Sequence, residues 1–273
     1  MKKIILLIFS FFISLFRPIG PVPTLTPTTI SFPSPTPTPT PKPLTFTEMN
    51  ILYGPCAYLP TLMYHHIQSL KSAKEKKQTA LTVETPIFKN QMQYLKDRGY
   101  TAISLQDLVN FFDQGIVVPQ KSVLLTFDDG YEDFYTGAYP ILRDLGFGAT
   151  VFTPTGLMNN SGYLSWDQIS EMAGNRILFA NHTWSHKNVK AKEDVLRMEV
   201  STADVQLKEK GLNSPKVFAY PFGLESSQAV TYLTALDYKL AFTTRYGSAL
   251  CKKQRLDLPR VRIGNVNLSS YGL

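Results

Sequence analysis

A short, mostly apolar run that ends on two adjacent carboxylates constrains this chain more than any other stretch. Residues 123–127 read Val-Leu-Leu-Thr-Phe and are followed by Asp128, Asp129 and Gly130. A run of this kind is typical of a buried strand. Acids at the carboxyl end of such a strand stand where α/β folds carry their chemistry, whereas neighbouring acids elsewhere commonly lie on a solvated loop. Because successive residues point in different directions, one acid can bind a metal while the other handles a proton.

Strand and helix patterns alternate along the rest of the chain. A cap followed by proline at Thr85-Pro86 and a capping box from Ser165 to Gln168 mark helix starts, and residues 71–77 indicate a charged, mobile loop. The alternation predicts an α/β fold, a distorted (β/α) barrel with about seven parallel strands in a single catalytic domain. The predicted strands are 61–65, 100–103, 123–127, 149–153, 177–180, 217–219, 239–243 and 260–263. The main predicted helices are 85–98, 104–113, 133–145, 192–210 and 226–236.

The first 45 residues differ in composition from the rest and predict two separate segments. Residues 1–20 begin with two lysines and an apolar run, 4–16, which is typical of an export signal and shorter than the roughly 20 residues that span a bilayer. Arg17-Pro18 follows in place of a small-residue cleavage site, so this segment is either a cleaved signal peptide or a retained membrane anchor. Residues 21–45 are rich in alternating Thr-Pro, which favours extended polyproline II and predicts a semi-rigid linker.

Charge and cysteine content limit the kinds of partner and the cellular compartment that the chain can have. The formal net charge is +7, but the first 45 residues hold basic side chains and no acid, so the folded part is only modestly basic. We therefore expect no nucleic-acid partner. Cys56 and Cys251 lie near the two ends of the folded part. In an exported protein such a pair can form a disulfide, and two free buried thiols are the alternative.

Two of the chain's 4 histidines have a spacing that suits a metal. His182 and His186 follow the strand predicted at 177–180. Residues at i and i+4 can face one cation if the loop turns helically, although a lone histidine is more often a hydrogen-bonded structural residue. Together with an acid from another strand end, the two imidazoles would give a site that keeps open positions for water.

These residues carry a family resemblance. Thr126-Phe127-Asp128-Asp129-Gly130 and His182-Thr183-x-x-His186 resemble the first two motifs of the polysaccharide deacetylases, the NodB-homology group of carbohydrate esterase family 4. The resemblance covers about residues 58–265 and makes 46–273 a predicted NodB-homology domain. It implies a hydrolase that removes N- or O-acetyl groups from a sugar polymer. By that resemblance the first acid, Asp128, is the catalytic base, while Asp129 and both histidines hold a divalent metal, usually zinc.

The chain departs from the family pattern in two places, so the roles of the orienting arginine and the general acid must fall to other residues. The third motif, Arg-x-Pro-Tyr, reads Ala219-Tyr220-Pro221-Phe222 here, so the main-chain N–H of Phe222 can serve an oxyanion hole while the orienting arginine is missing. No histidine follows His186, where the family usually supplies a general acid. Leu62-Met63-Tyr64-His65-His66 resembles the early Tyr-His motif of the exported poly-N-acetylglucosamine deacetylases, in which catalytic parts are circularly permuted. That likeness implies His65 as the acid, with His66 pointing elsewhere.

Three further residues are assigned by the same resemblance. Arg260 is predicted to replace the missing arginine, and a surface arginine on the last strand is the alternative. Trp166 is predicted to line the sugar groove, or else to pack beneath it. Tyr64, next to His65 in the early motif, is predicted to contact substrate.

The sequence thus predicts an exported, monomeric, metal-dependent hydrolase acting on an acetylated cell-surface polysaccharide such as poly-N-acetylglucosamine or peptidoglycan. A tethered glycan-binding module without catalysis is the first alternative, supported by the missing third-motif arginine. A metal-dependent amidase acting on small cyclic amides, which shares the fold, is the second.

Overall fold

Short strands alternate with helices along the part of the chain that the structure, a computed structural model, describes: Gly20 and residues 42–190 and 192–273. The strands in chain order are β1 (Cys56–Tyr58), β2 (Thr61–Tyr64), β3 (His66–Gln68), β4 (Thr82–Glu84), β5 (Thr101–Ala102), β6 (Ser122–Phe127), β7 (Ala149–Thr153), β8 (Ile177–Asn181), β9 (Val217–Ala219), β10 (Leu240–Tyr246), β11 (Ala249–Cys251) and β12 (Leu258–Arg262). The α-helices are α1 (Phe46–Tyr53), α2 (Leu70–Glu75), α3 (Thr85–Asp97), α4 (Leu105–Gln114), α5 (Tyr139–Leu145), α6 (Trp166–Met172), α7 (Glu193–Glu209) and α8 (Ser227–Ala235).

Seven parallel strands close into a ring. The hydrogen-bonded order is β2-β12-β10-β9-β8-β7-β6, and the pairing of β2 with β6 completes the circle. The short β5 adds to the beginning of β6, where Thr101 lies opposite Ser122. Helices connect the strands and cover the ring. The predicted seven-stranded (β/α) barrel is confirmed.

Side chains along β6 alternate between the outside and the inside of the barrel. Val123, Leu125 and Phe127 belong to an apolar cluster shared with the covering helices α3 and α5. Leu124 belongs to a second cluster, to which six of the ring strands contribute side chains, so this cluster fills the interior. Since the alternation has a period of two, Thr126 and Asp128 continue the inward row. Each fully buried leucine contributes roughly 1.5–3 kcal/mol, which fixes this register.

Helix α4 closes the barrel at the amino ends of the strands. Its residues Leu105, Leu108 and Phe112 join the interior cluster. A capping box between Ser104 and Asp107 begins the helix, and Gly115 ends it in the left-handed conformation at φ 73°. Because the ring strands are parallel, their carboxyl ends meet at the opposite end of the barrel, where the interior is not closed by α4.

Three local features differ from the sequence predictions. Residues 71–77 were expected to form a mobile loop, but Leu70–Glu75 form α2, which is capped by Ser69 and buries Ala73. The helix expected from 133 begins as a π-turn over Phe134–Ala138 before α5 starts. Helix α1, which buries none of its side chains, was not predicted, because its apolar residues show no stripe that a core would cover.

The predicted signal or anchor, 1–20, and most of the linker, 21–45, lie outside the described residues and stay predictions. The fold proper begins near Thr45, whose side chain accepts a hydrogen bond from the Glu48 N–H and caps α1. Residues 43–273 form one compact unit. Within the described ranges, every helix is too short or too polar to cross a bilayer.

A disulfide ties the two ends of the folded part together. β1 and β11 pair antiparallel with Cys56 directly opposite Cys251, and the two sulfurs are bonded across 195 residues of sequence. The structure therefore favours the bonded alternative over two free thiols. A crosslink that closes so long a loop removes many conformations from the unfolded chain.

We predict that replacing both cysteines, Cys56→Ser with Cys251→Ser, lowers the free energy of unfolding by about 2–5 kcal/mol, because the unfolded chain regains its loop entropy. Denaturant titration of the two proteins measures the difference. Reductant should destabilise the wild type to the level of the double variant and leave the variant unchanged. A wild type that is indifferent to reductant would contradict the prediction.

Candidate active site

Three potential metal ligands meet at the carboxyl ends of β6 and β8. Asp129 follows β6, and His182 and His186 lie on the loop that leaves β8. The Asp129 carboxylate oxygen Oδ1 lies 3.3 Å from His182 Nε2 and 3.0 Å from His186 Nε2. All three donor atoms lie within 4.8 Å of one another. The structure thus brings together the predicted ligand set from two distant segments.

The main chain takes unusual conformations to aim these side chains. Asp129, Thr183 and His186 all have left-handed backbone angles, with φ of 73°, 68° and 59°. Such angles are unfavourable for residues other than glycine and persist only where surrounding contacts hold them. The Thr183 N–H donates to the side-chain oxygen of Asn181, which is one such contact. Strain at several residues of one cluster is typical of a functional site.

The chemistry of the donors fits a divalent cation. His182 Nδ1 lies 2.7 Å from the Ala219 carbonyl oxygen, which can only accept, so Nδ1 carries a proton and Nε2 is the ring nitrogen that faces Asp129. Ligand atoms held about 2.0–2.2 Å from one zinc ion lie about 3–3.5 Å from each other, and the two separations from Asp129 fall in this range. A hydrogen bond from the second ring nitrogen to a carbonyl is the usual support of a metal-binding imidazole.

The protein alone already makes this cluster favourable for positive charge. Burial raises the pKa of Asp129, but hydrogen bonds from the two imidazoles outweigh burial and hold that pKa well below its usual range. Burial also lowers the pKa of His186, and the hydrogen bond and charge of Asp129 outweigh it in the opposite direction, so the pKa of His186 is raised.

Asp128 is clamped by a buried arginine. Arg260 Nη1 and Nη2 each lie 2.7 Å from one carboxylate oxygen of Asp128, and Arg260 Nε donates to the Thr243 carbonyl at 2.9 Å. Both charged groups are buried, and Arg260 is 0% exposed. Burial raises the pKa of Asp128, whereas the charge and hydrogen bonds of Arg260 lower it, and the net effect keeps Asp128 ionised. The sequence left two alternatives for Arg260, a replacement for the missing arginine or a surface residue, and its burial excludes the surface position.

His65 and His66 have different surroundings. The half-buried His65 lies in the field of Asp128 and Asp129, although burial is the larger effect and lowers its pKa. The His66 ring is buried, and its Nδ1 donates to Asp133 Oδ2 at 2.6 Å. It also stacks on Tyr131 at 3.7 Å between ring centroids. The expectation that the two rings point to different places agrees with these contacts.

Phe222 lies beside the cluster, and its side chain is exposed. Its backbone is left-handed, φ 61° and ψ 7°, and its ring is 60% exposed. The ring meets His186 edge to face at 4.8 Å. The next residue must be glycine, because a Cβ at Gly223 would lie 2.0 Å from the Thr244 hydroxyl oxygen. This turn fixes where the Phe222 N–H stands relative to the imidazoles.

Two residues predicted to contact substrate lie elsewhere. Tyr64 is 1% exposed, stacks on Phe127, and donates its hydroxyl proton to Gln91, so the prediction for Tyr64 is wrong. Strand alternation points Tyr64 outward when His65 points inward. Trp166 lies under the Lys210 ammonium, 4.6 Å from the ring centroid, and packs on the outer core. These contacts favour the packing alternative, and a groove role for Trp166 stays an unsupported prediction.

Sequence patterns missed two acids near the site. Asp133 holds His66 and also accepts the Ile67 N–H at 2.9 Å. Glu199, on α7, is 1% exposed. Asp133 has a signal, because it is the second of two further acids, with Glu132, shortly after the Asp128-Asp129 pair. Glu199 has none, because in the sequence it resembles the solvent-facing acids of the same helix.

Comparisons with known proteins agree with this geometry. A family model described as polysaccharide deacetylase matches residues 116–241. The solved structure of the Streptococcus pyogenes deacetylase PplD in complex with acetate is similar with a TM-score of 0.70 and 33% identity, covering 76% of this chain and 92% of that chain.

Two curated bacterial proteins are also similar. The poly-β-1,6-N-acetyl-D-glucosamine N-deacetylase of Escherichia coli is 28% identical over an alignment of 234 residues that covers 69% of this chain and 34% of that protein. The protein of the same name from Staphylococcus epidermidis is 25% identical over 214 residues, 73% of each chain. This chain therefore spans about a third of the length of its Escherichia coli relative.

We predict that Arg260→Met destabilises the fold by about 3–5 kcal/mol, because Asp128 is left as an uncompensated buried charge. The double variant Arg260→Met with Asp128→Asn should lose less than the two single variants summed, since it buries no charge. Denaturant unfolding measures all three proteins. Arg262→Met, on the same strand but exposed, is the matched control and should stay within about 0.5 kcal/mol of wild type. If the double variant is destabilised by the sum of the two single losses, the two buried charges do not stabilise each other and the prediction is wrong.

Proposed function

The chain belongs to the polysaccharide deacetylase family, and we propose that it is a metal-dependent hydrolase that removes N-acetyl groups from a cell-surface polysaccharide. One observation carries the proposal above the rest. A cluster with the geometry of a metal site, Asp129 with His182 and His186, stands next to a second carboxylate, Asp128, that Arg260 keeps ionised.

Asp129, His182 and His186 would hold a divalent cation, and zinc suits two imidazoles and one carboxylate. When bound, such a cation polarises the acetyl carbonyl and makes water acidic near neutral pH. The carbonyl of Ala219 keeps His182 in the tautomer that binds a cation through Nε2. These three residues leave coordination positions open for substrate and water.

Asp128 acts as the general base. It accepts a proton from the water whose oxygen attacks the acetyl carbon, and the buried guanidinium of Arg260 holds both carboxylate oxygens in place. A positioned base of this kind typically contributes about 10²–10⁴-fold to the rate. Arg260 therefore takes the place of the arginine that the third motif lacks at Ala219.

Phe222 and His65 complete the reaction. The Phe222 N–H donates a hydrogen bond to the oxyanion that forms on the acetyl oxygen, and a donor of this kind is typically worth about 10²–10³ in rate. His65 gives a proton to the sugar nitrogen as the carbon–nitrogen bond breaks, because an unprotonated amine is a poor leaving group. The products are acetate and a free amine on the polymer.

The substrate and the location rest on two further arguments. The names of the Escherichia coli and Staphylococcus epidermidis relatives support poly-β-1,6-N-acetylglucosamine as substrate, with peptidoglycan as the second candidate. The apolar run at 4–16 and the Thr-Pro linker support export and a tethered enzyme at the cell surface. The main support for an inactive glycan-binding module was the missing arginine, and Arg260 now removes that argument.

We expect the full chain to release acetate from N-acetylglucosamine polymers, with loss of activity on chelation and recovery with zinc. Asp128→Asn should keep its zinc and lose about 10²–10⁴ in kcat. Acetate release measured across poly-β-1,6-N-acetylglucosamine, peptidoglycan, chitin and acetylated xylan identifies the polymer. Activity of Asp128→Asn within a few-fold of wild type would reject Asp128 as the base. A protein that binds glycan but releases no acetate with zinc, cobalt or nickel would be the binding module instead.

His65→Ala should lower kcat by about 10²–10⁴ with little change in zinc content, because the leaving amine loses its proton donor. His66→Ala is the matched comparison. It should change turnover much less and stability more, since it breaks the buried contact with Asp133. Steady-state kinetics and thermal unfolding separate the two effects. The reverse result would exchange the roles of the two histidines.

A further inference from the structure

A buried carboxylate outside the ligand set holds the loop that carries both histidines. Glu199 Oε2 accepts the Ser185 N–H at 2.7 Å, and Glu199 Oε1 accepts the Ser185 hydroxyl at 2.5 Å. Ser185 immediately precedes His186. Two hydrogen bonds to one residue, one from its main chain and one from its side chain, fix both its position and its orientation.

Glu199 is itself fixed to the barrel. Its neighbours Leu196 and Val200 pack in the apolar cluster that seats α7 on β9 and β10. The Val200 carbonyl also accepts a hydrogen bond from Asn181, at the start of the same loop. Helix α7 therefore holds the loop at both ends, and it does so from outside the ring.

The loop needs such support because its backbone is strained. Thr183 and His186 are both left-handed, a conformation that is unfavourable for residues other than glycine. The opposite side is held by the chain after β7, where the Gly156 N–H donates to the Trp184 carbonyl at 2.7 Å. The loop is thus held between Gly156 and Glu199 immediately before His186.

The charge of Glu199 acts in the same direction as its hydrogen bonds. Its side chain is 1% exposed, and within the described part of the chain its cationic contact is the exposed Lys187 side chain at 3.7 Å. A buried carboxylate this close to His186 adds negative potential where a cation would bind.

We infer that Glu199 is a positioning residue that sets the affinity of the Asp129–His182–His186 site for its divalent cation. Without the carboxylate the loop can relax toward ordinary backbone angles, which moves His186 Nε2 away from the other two ligand atoms. Supporting hydrogen bonds of this kind are typically worth 10–100-fold in metal affinity. The inference rests on the proposed metal site and concerns how tightly that site binds.

Zinc and cobalt titrations of the metal-free full chain, competed against a chelating dye, test this role. Glu199→Gln, nearly isosteric but uncharged, should bind each ion 10–100-fold more weakly than wild type and shift the visible spectrum of bound cobalt. The matched control is Glu193→Gln, which removes the same charge from the exposed face of α7, where Glu193 pairs with Arg197. It should bind both ions as the wild type does.

Each possible result of these titrations either supports or overturns the role inferred for Glu199. Affinity of Glu199→Gln within threefold of wild type, with an unchanged cobalt spectrum, overturns the inference and leaves the proposed function intact. A wild type that binds neither ion removes the proposed metal site itself. If Glu199→Gln fails to fold, Ser185→Ala replaces it. That variant loses only the hydroxyl bond, so weaker ion binding supports the role of Glu199 and unchanged binding rejects it.

Discussion

The pair between Arg260 and Asp128 exists only because the seven strands close into a ring. Asp128 ends the inward row of β6, Arg260 stands on β12, and β2 lies between these strands. Two charges this deeply buried are tolerable only when each satisfies the other, and the two parallel hydrogen bonds do so. Barrel closure and the pairing of the buried Asp128 charge therefore depend on each other, since a ring that failed to close would leave both charges unpaired.

The parts of the site that the sequence predicted are those in which one segment contains the whole signal. Asp128-Asp129 ends an apolar strand, and His182 and His186 carry their spacing within a single loop. The alternation of side chains along a strand was equally clear from the sequence. It correctly predicted that His65 and His66 point to different places. Applied one residue earlier, it would also have removed Tyr64 from the site, because a residue whose neighbour points inward must point outward.

The sequence could not predict how deeply a side chain is buried or which distant segments are in contact. Arg260 and Arg262 are two residues apart and share an inward register on β12, yet one is fully buried and the other is exposed. The difference depends on how far each extends along the barrel axis, which the pattern of a single strand does not contain. The surroundings of the Trp166 ring likewise depend on the path of the chain between β7 and α6, which a single segment does not contain.

The limited volume of the barrel interior explains why residue 219 is alanine and not the arginine of the family motif. Ala219 packs in the interior cluster together with Phe152, and the Arg260 guanidinium lies 5.6 Å from the centre of that same Phe152 ring. Small barrels have interiors that side chains fill completely. A second arginine at 219 would compete for this space and add a buried cation with no carboxylate to receive it. The main-chain carbonyl of residue 219, which any side chain at that position would leave in place, supports His182 from β9, while the guanidinium comes from β12.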